Sequence, residues 1–356
     1  MRVHQVDPSA FTPPYDRALS AALARAGADV ELWTSRFAYG PVPPAEGVTV
    51  HESFYRWAPG AAGSRTRQTA KLAQHVPDML RYRRAALAAD VVHFQWLTVQ
   101  PLDVRLLPRA RPLVITAHDV LPREPWPGQH AAQRRLYGRA DAVVVHSEHG
   151  RARLSRELGL PAGRVHTIPH GAFTHLRGVT GALPPELAET TRPVVLFFGL
   201  IRPYKGLDVL LAAWEGLEAQ ADLWVVGMPR MPLPTVPAGV RVVARFVSDA
   251  EAAAVFARAD LVVLPYLQID QSGVLYTGLG LGKPLLLSDV GGFGEVQAAA
   301  HFAPGDPGAL RAALARLLGD PAERGRLAAA ARAAADGEYA WDRIAARHLE
   351  LYRGLL

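Results

Sequence analysis

A chain of 356 residues exceeds what one hydrophobic core usually serves, so two domains are the first expectation. With 49% apolar residues, 20% charged residues and no cysteine, it is a globular chain that forms neither disulfides nor a thiolate metal site. The net charge of +6 is uneven, with 23 basic against 16 acidic side chains up to residue 190, a net of +7, and a net of −1 beyond it.

The first residues, "MRVHQVDPSAF", lack the apolar core of a signal peptide, and no run approaches the roughly 18 apolar residues that span a bilayer. A cytoplasmic chain is the expectation. In "DPSAFTPPYDRAL", Pro13 and Pro14 lead into a helix near Tyr15 or Asp16, with Asp16 placed as a cap rather than a catalyst. Strands are predicted at 30–34, 90–96, 112–118, 142–147 and 165–170, with helical runs such as 16–27 between some of them. Residues 171–193, rich in Gly, Pro and Thr, read as a linker. The pattern then restarts with strands at 193–199, 221–227, 240–246, 259–266 and 283–289, and closes in Ala/Leu/Arg-rich helix from about 307. Strands alternating with helices imply α/β architecture and two doubly wound parallel sheets, one per domain, over 1–175 and 190–338. Such domains bind ligands beyond the carboxyl ends of their strands, and with two of them the crevice between is the expected site.

Only three lysines occur among 39 basic residues: Lys71, Lys205 and Lys283. In "FFGLIRPYKGLDVLLAAW" a strand ends, Gly199 allows a tight turn, and a helix begins near Gly206, which leaves Arg202 and Lys205 beside a helix N-terminus. Two cations and free backbone N–H groups suit a diphosphate. In "DQSGVLYTGLGLGKPLLLSDVGGFGEV", Ser272 and Gly273 open a short helix running to Gly282, again offering N–H groups to an anion.

These two motifs, in this order, resemble the GT-B fold glycosyltransferases of family 4. "TAHDVLP", "IPHG" and the closing "WDRIAARHLELY" extend the resemblance over both domains. It implies two Rossmann-like domains facing an interdomain cleft, with a helix at 339–356 crossing back to the first. It further implies a retaining hexosyltransferase-type enzyme that moves a sugar from a nucleoside diphosphate donor to an acceptor hydroxyl of a glycan, glycolipid or small molecule. Arg202 and Lys205 would hold the leaving diphosphate, and His118 would lie near the donor sugar. Gly199, Ser272, Gly273 and Val274 would contact the donor, with Asp270, Thr277 and Glu295 as further donor-site groups. His93 and His170 read as structural. No acidic cluster or His/Asp pair stands at ligand spacing, so no metal and no cofactor beyond the nucleotide sugar is expected.

The family often carries two glutamates eight residues apart, and registering on "GKP" puts Ile269 and Thr277 there instead. That departure sustains the alternative of a catalytically silent homologue acting as a binding or partner subunit. A nucleotide-sugar epimerase is a weaker rival, because the motif order is that of the transferases. Residues 64–90 place Arg65, Arg67, Lys71, Arg81, Arg83 and Arg84 near Leu72, Val76, Met79 and Leu80. That suits either a peripheral contact with the inner face of a membrane or an ordinary surface, with Pro77 expected to interrupt the helix. Scattered basic residues with no aromatic platform exclude nucleic acid as a partner.

Overall fold

Among the described residues every named strand pairs in parallel with its neighbours, so each is reached by a crossover over one face of its sheet. The computed structural model describes residues 1–61, 63–121, 127–187, 190–237 and 239–356. Contacts divide them into two units: Met1–Gly171 with Trp341–Leu356, and Ala172–Ala340.

Unit 1 contains strands β1 (Arg2–Asp7), β2 (Asp29–Ser35), β3 (Val48–Phe54), β4 (Val91–Phe94), β5 (Leu113–Thr116), β6 (Ala142–Val145) and β7 (Val165–Thr167), in the sheet order β3-β2-β1-β4-β5-β6-β7. Its helices are α1 (Pro13–Arg25), α2 (Arg65–Ala85), α3 (Gln100–Leu106), α4 (Gln129–Tyr137) and α5 (Glu148–Leu158). Unit 2 contains β8 (Val194–Phe198), β9 (Asp222–Val226), β10 (Arg241–Val243), β11 (Leu261–Leu264), β12 (Leu285–Ser288) and β13 (Ala300–Phe302), in the order β10-β9-β8-β11-β12-β13. Its helices are α6 (Leu207–Trp214), α7 (Asp249–Arg258), α8 (Gly273–Gly280), α9 (Pro307–Gly319) and α10 (Pro321–Asp336), and α11 (Trp341–Leu355) belongs to unit 1. In both sheets the order reverses beside the first strand, at β1/β4 and β8/β11, and that switch point leaves a crevice at the strand carboxyl ends.

The period of two in a strand makes both faces of the unit 2 sheet apolar. Leu196, Trp224, Val262 and Leu285 belong to one buried cluster with α7 and α8. Val195, Leu223, Val263 and Leu286 belong to another with α6 and α9. In unit 1, Val92, Phe94, Ile115 and Val143 bury one face together with Met79 and Tyr82 of α2. Helix α11 buries Ile344, Ala345, His348, Leu349 and Tyr352, a single stripe at helical spacing. Fully burying side chains such as Ile344 and Leu349 stabilises by about 1.5–3 kcal/mol each.

Three expectations need correction. Helix α2 runs unbroken through Pro77. Proline removes one N–H from the ladder, but buried His75, Asp78, Met79 and Tyr82 on the same face hold both halves in line. Asp16 is not a cap: α1 starts at Pro13 with Thr12 as N-cap, and Asp16, one turn in, is buried. The stretch 171–193 is irregular but not a free linker over its described residues. Ala172, Leu176 and Leu187 are buried in the unit 2 core, and the Phe173 N–H donates to the Tyr276 carbonyl at 3.0 Å.

Candidate functional site

In unit 2, three segments distant in sequence converge where β8 ends. Gly199 adopts φ +105°, and a Cβ there would stand 2.9 Å from Val274 Cγ2 and 3.2 Å from Lys205 Nζ. On the neighbouring strand end, a Cβ on Gly227 would collide with the Gly199 carbonyl oxygen. Only glycine serves at these two positions, and the backbone stays bare. After Arg202 the chain makes one 3-10 turn, Pro203–Lys205, and Gly206 in the left-handed region opens α6.

Lys205 is only 7% exposed, with Nζ 4.8 Å from the centroid of the Tyr266 ring. An ammonium over an aromatic face is attracted by the ring quadrupole, which helps to fix its position. The Tyr266 hydroxyl lies 3.3 Å from Ser272 Oγ. Ser272 is the N-cap of α8, and its side chain makes no capping hydrogen bond, so the first-turn N–H groups and the positive end of the helix dipole suit an anion. Lys283 instead serves the fold. Its ammonium donates to the carbonyls of Ala257 and Ala259 at 2.9 and 3.0 Å, fastening the end of α7.

The carboxylate candidates are more scattered. Asp270 is buried, and Ile269 beside it packs into the core. Thr277 Oγ1 donates to the Gly273 carbonyl at 2.9 Å, which turns the hydroxyl back onto its own helix. Glu295 is exposed at the end of a one-turn helix, Gly291–Glu295.

His118 lies in unit 1, two residues beyond β5. Its Nε2 meets Gln95 Oε1 at 3.1 Å and its Nδ1 meets His146 Nε2 at 3.1 Å, while His146 Nδ1 meets the Ile168 carbonyl at 3.0 Å. Burial, reinforced by the neighbouring histidines, holds His118 well below the usual histidine range, and burial pushes His146 down to about 4. Both rings are neutral at pH 7. Trp96 stacks on His118 at 4.9 Å between centroids. His93 is internal, bonded to Tyr352 and Thr116, and His170 is buried against Tyr15 and Trp341. The motif "TAHDVLP" ends on Pro122, which lies outside the described residues.

Beside His118 a cavity of about 520 Å³ opens at the carboxyl ends of β4 and β5, bordered by the loop after β1 and by α3 and α4. Its lining includes Phe11, Trp96, Gln100, His118, Asp119 and Gln133. Apart from His118, the sequence alone did not single out these residues. Gln129, Gln133 and Tyr137 recur at fourfold spacing, so the helical period was the available signal for that wall. The loop after β1 is set by Asp7, whose carboxylate accepts from the backbone N–H groups of Ser9 at 3.1 Å, Phe11, and Thr12 at 3.3 Å. An aspartate ahead of "PSAF" is the sequence mark of such a turn. Among the described residues no group of three or more His, Asp or Glu is placed to hold a metal ion.

Two doubly wound units, one with a buried cation at an uncapped helix N-terminus and one with a hydroxyl- and amide-rich pocket, define a GT-B glycosyltransferase. The chain belongs to glycosyltransferase family 4: the model described as "Glycosyltransferase Family 4" matches residues 17–175, and the one described as "Glycosyl transferases group 1" matches 192–320. It is similar to a D-inositol 3-phosphate glycosyltransferase of Xylanimonas cellulosilytica, 27% identical over 94% of this chain and 89% of that protein. It is also similar to an alpha-maltose-1-phosphate synthase of Mycolicibacterium smegmatis, 28% identical over 75% of this chain and 80% of that one. Among solved structures, sucrose-phosphate synthase from Thermosynechococcus elongatus shares the fold at TM-score 0.73 and 20% identity, over 100% and 99% of the two chains. So does Anabaena HepE, solved with UDP-glucose, at TM-score 0.73 and 18% identity over 100% of both.

Proposed function

We propose that this glycosyltransferase binds a nucleoside diphosphate sugar on unit 2. It then transfers the sugar, with retention of anomeric configuration, to a hydroxyl of an acceptor held in the unit 1 pocket. The observation that carries the reading is the meeting of Lys205, Gly199 and Val274 at the N-terminus of α8. A bare glycine backbone, an immobilised ammonium and first-turn N–H groups suit a diphosphate, and Arg202 would add a planar fork. These groups would stabilise the charge that grows on the departing phosphate, and that oxygen would help take the acceptor proton. Positive side chains and a helix dipole do this work here, so we expect the rate to survive EDTA. The exposed basic face of α2 suits peripheral contact with an anionic membrane.

The test is a thermal-shift panel of UDP, GDP, ADP and TDP on the wild type and Lys205→Ala. One nucleotide should raise the melting temperature of the wild type alone, and with its sugars as donors the variant should lose roughly two to three orders of magnitude in kcat/KM. NMR of the product's anomeric coupling then reads retention or inversion. Ile269, packed into the core where relatives often have a glutamate, supports the silent-homologue reading, which takes over if no nucleotide stabilises the chain.

A further inference from the structure

We propose that the unit 1 pocket selects a neutral, polyhydroxylated acceptor, a sugar or cyclitol ring, and disfavours one carrying a phosphate at this site. The inference rests on the acceptor reading above and adds the acceptor's chemical class.

Charge is the first argument. Among the described residues lining the pocket there is no lysine or arginine, and the carboxylate of Asp119 is there. His118 brings no positive charge, because it is buried and neutral. Phosphate sites use Arg, Lys or helix N-termini. The N-terminus of α3, which borders the pocket, is already served by an acidic side chain, since Asp103 Oδ2 accepts from the Val99 N–H at 2.8 Å. Among the described residues of the lining, the start of α4 at Gln129 is the feature that would favour an anion. Taken into a half-enclosed pocket without a cation, a phosphate dianion loses hydration and gains little in return.

The sense of the hydrogen bonds is the second argument. Gln133 is 3% exposed, and its Oε1, like Gln100 Oε1, is buried without a hydrogen-bond partner among the described residues. Both residues line the pocket. A carbonyl oxygen in that condition needs a donor, which a sugar hydroxyl supplies and a fully ionised phosphate does not.

Shape is the third argument. Trp96 is fixed from two sides, by its stack on His118 and by its Nε1–H donating to Thr12 Oγ1 at 2.8 Å, and Phe11 stands 4.6 Å from it between ring centroids. A rigid ring face beside amides and hydroxyls matches a pyranose, with an apolar C–H face and a polar edge. The cavity of about 520 Å³ lies within the range of about 300–1,000 Å³ of small-ligand pockets.

The test is calorimetric titration of the whole chain with matched pairs: glucose and glucose 6-phosphate, maltose and maltose 1-phosphate, myo-inositol and its monophosphate. At least one neutral member should bind about tenfold tighter than its phosphate. Trp96→Ala should weaken the neutral member while leaving the nucleotide-induced thermal shift intact. Thr98→Arg, which adds a cation at an exposed lining position, should narrow or reverse the preference for the neutral member over its phosphate. Equal or tighter binding of the phosphates, or no binding by any member, overturns the proposal. The nucleotide shift separates the two failures: if it persists, only the acceptor class was wrong, and if it is missing, the transferase reading falls as well.

Discussion

The carboxyls of Asp7 and Asp16 face each other in the interior of unit 1, with Asp16 2% exposed. Burial raises both carboxyls, and for Asp16 the charge of Asp7 adds to it and lifts it well above the usual carboxylate range, which favours a proton on Asp16 donated to Asp7. Asp7 in turn accepts the backbone N–H groups that shape the loop over the unit 1 pocket. The native state therefore holds a proton that the unfolded chain releases above the free-carboxyl range. Stability is fully present below that range and falls as pH rises, by about 1.4 kcal/mol per unit until Asp16 itself titrates. Asp16→Asn keeps the donor and removes the titration. Urea denaturation at pH 5 and pH 8 should show the variant losing less stability than the wild type across that interval, and an unchanged difference would sink the shared-proton account. Nothing in "PPYDRAL" reveals the pair, because Asp7 and Asp16 meet only once β1 and α1 have packed. The setting of Lys205, a turn running into a helix start, was legible for the opposite reason, since its parts are contiguous in one motif.

At the scale of elements, strands were readable even with a single polar residue inside the apolar run, as in β2 and β4, while β1, β3 and β13 were not. β1 reads "RVHQVD" and still lies inside its sheet, with His4, Gln5 and Asp7 all buried. Gln5 owes its place to α11: its Nε2 donates to the Tyr352 hydroxyl at 3.0 Å, and His93 Nδ1 lies 2.6 Å from the same oxygen. β3 escaped notice as a polar edge strand, and β13 because its short AHF segment at the sheet edge carries no apolar run. The clasp between α11 and the sheet can be tested with Tyr352→Phe. The substitution keeps the ring but leaves Gln5 and His93 each short of a buried partner, a loss of about 1–3 kcal/mol by urea denaturation. The nucleotide-induced shift, proposed to arise on unit 2, should be unaffected. A variant as stable as the wild type would mean that the hydroxyl adds nothing to the docking of α11.

For the whole molecule the governing quantity is the uneven charge, a net of +7 up to residue 190 against −1 beyond it. Helix α2 concentrates it: Leu72, Val76 and Leu80 are 54%, 37% and 45% exposed at fourfold spacing, with exposed Arg65 and Arg84 along the same helix. An anionic bilayer fits this face, since each arginine near such a surface contributes about 1 kcal/mol and the leucines enter the interface. The chain should therefore sediment with vesicles containing phosphatidylglycerol at low salt, release as salt rises, and ignore pure phosphatidylcholine. Replacing Leu72, Val76 and Leu80 together by serine should weaken binding at least about tenfold. Among the described residues no helix is long and apolar enough to cross a membrane, so attachment by this face would be peripheral. The consequence reaches the acceptor. His75 of α2 bonds Asp103 of α3 at 2.8 Å, and α3 carries Gln100 into the pocket. A bilayer under α2 would thus bring neutral sugar headgroups close to the unpartnered amides. If vesicles of either composition leave the chain in the supernatant, α2 is an ordinary surface, and the neutral acceptor has to be sought among free sugars and cyclitols.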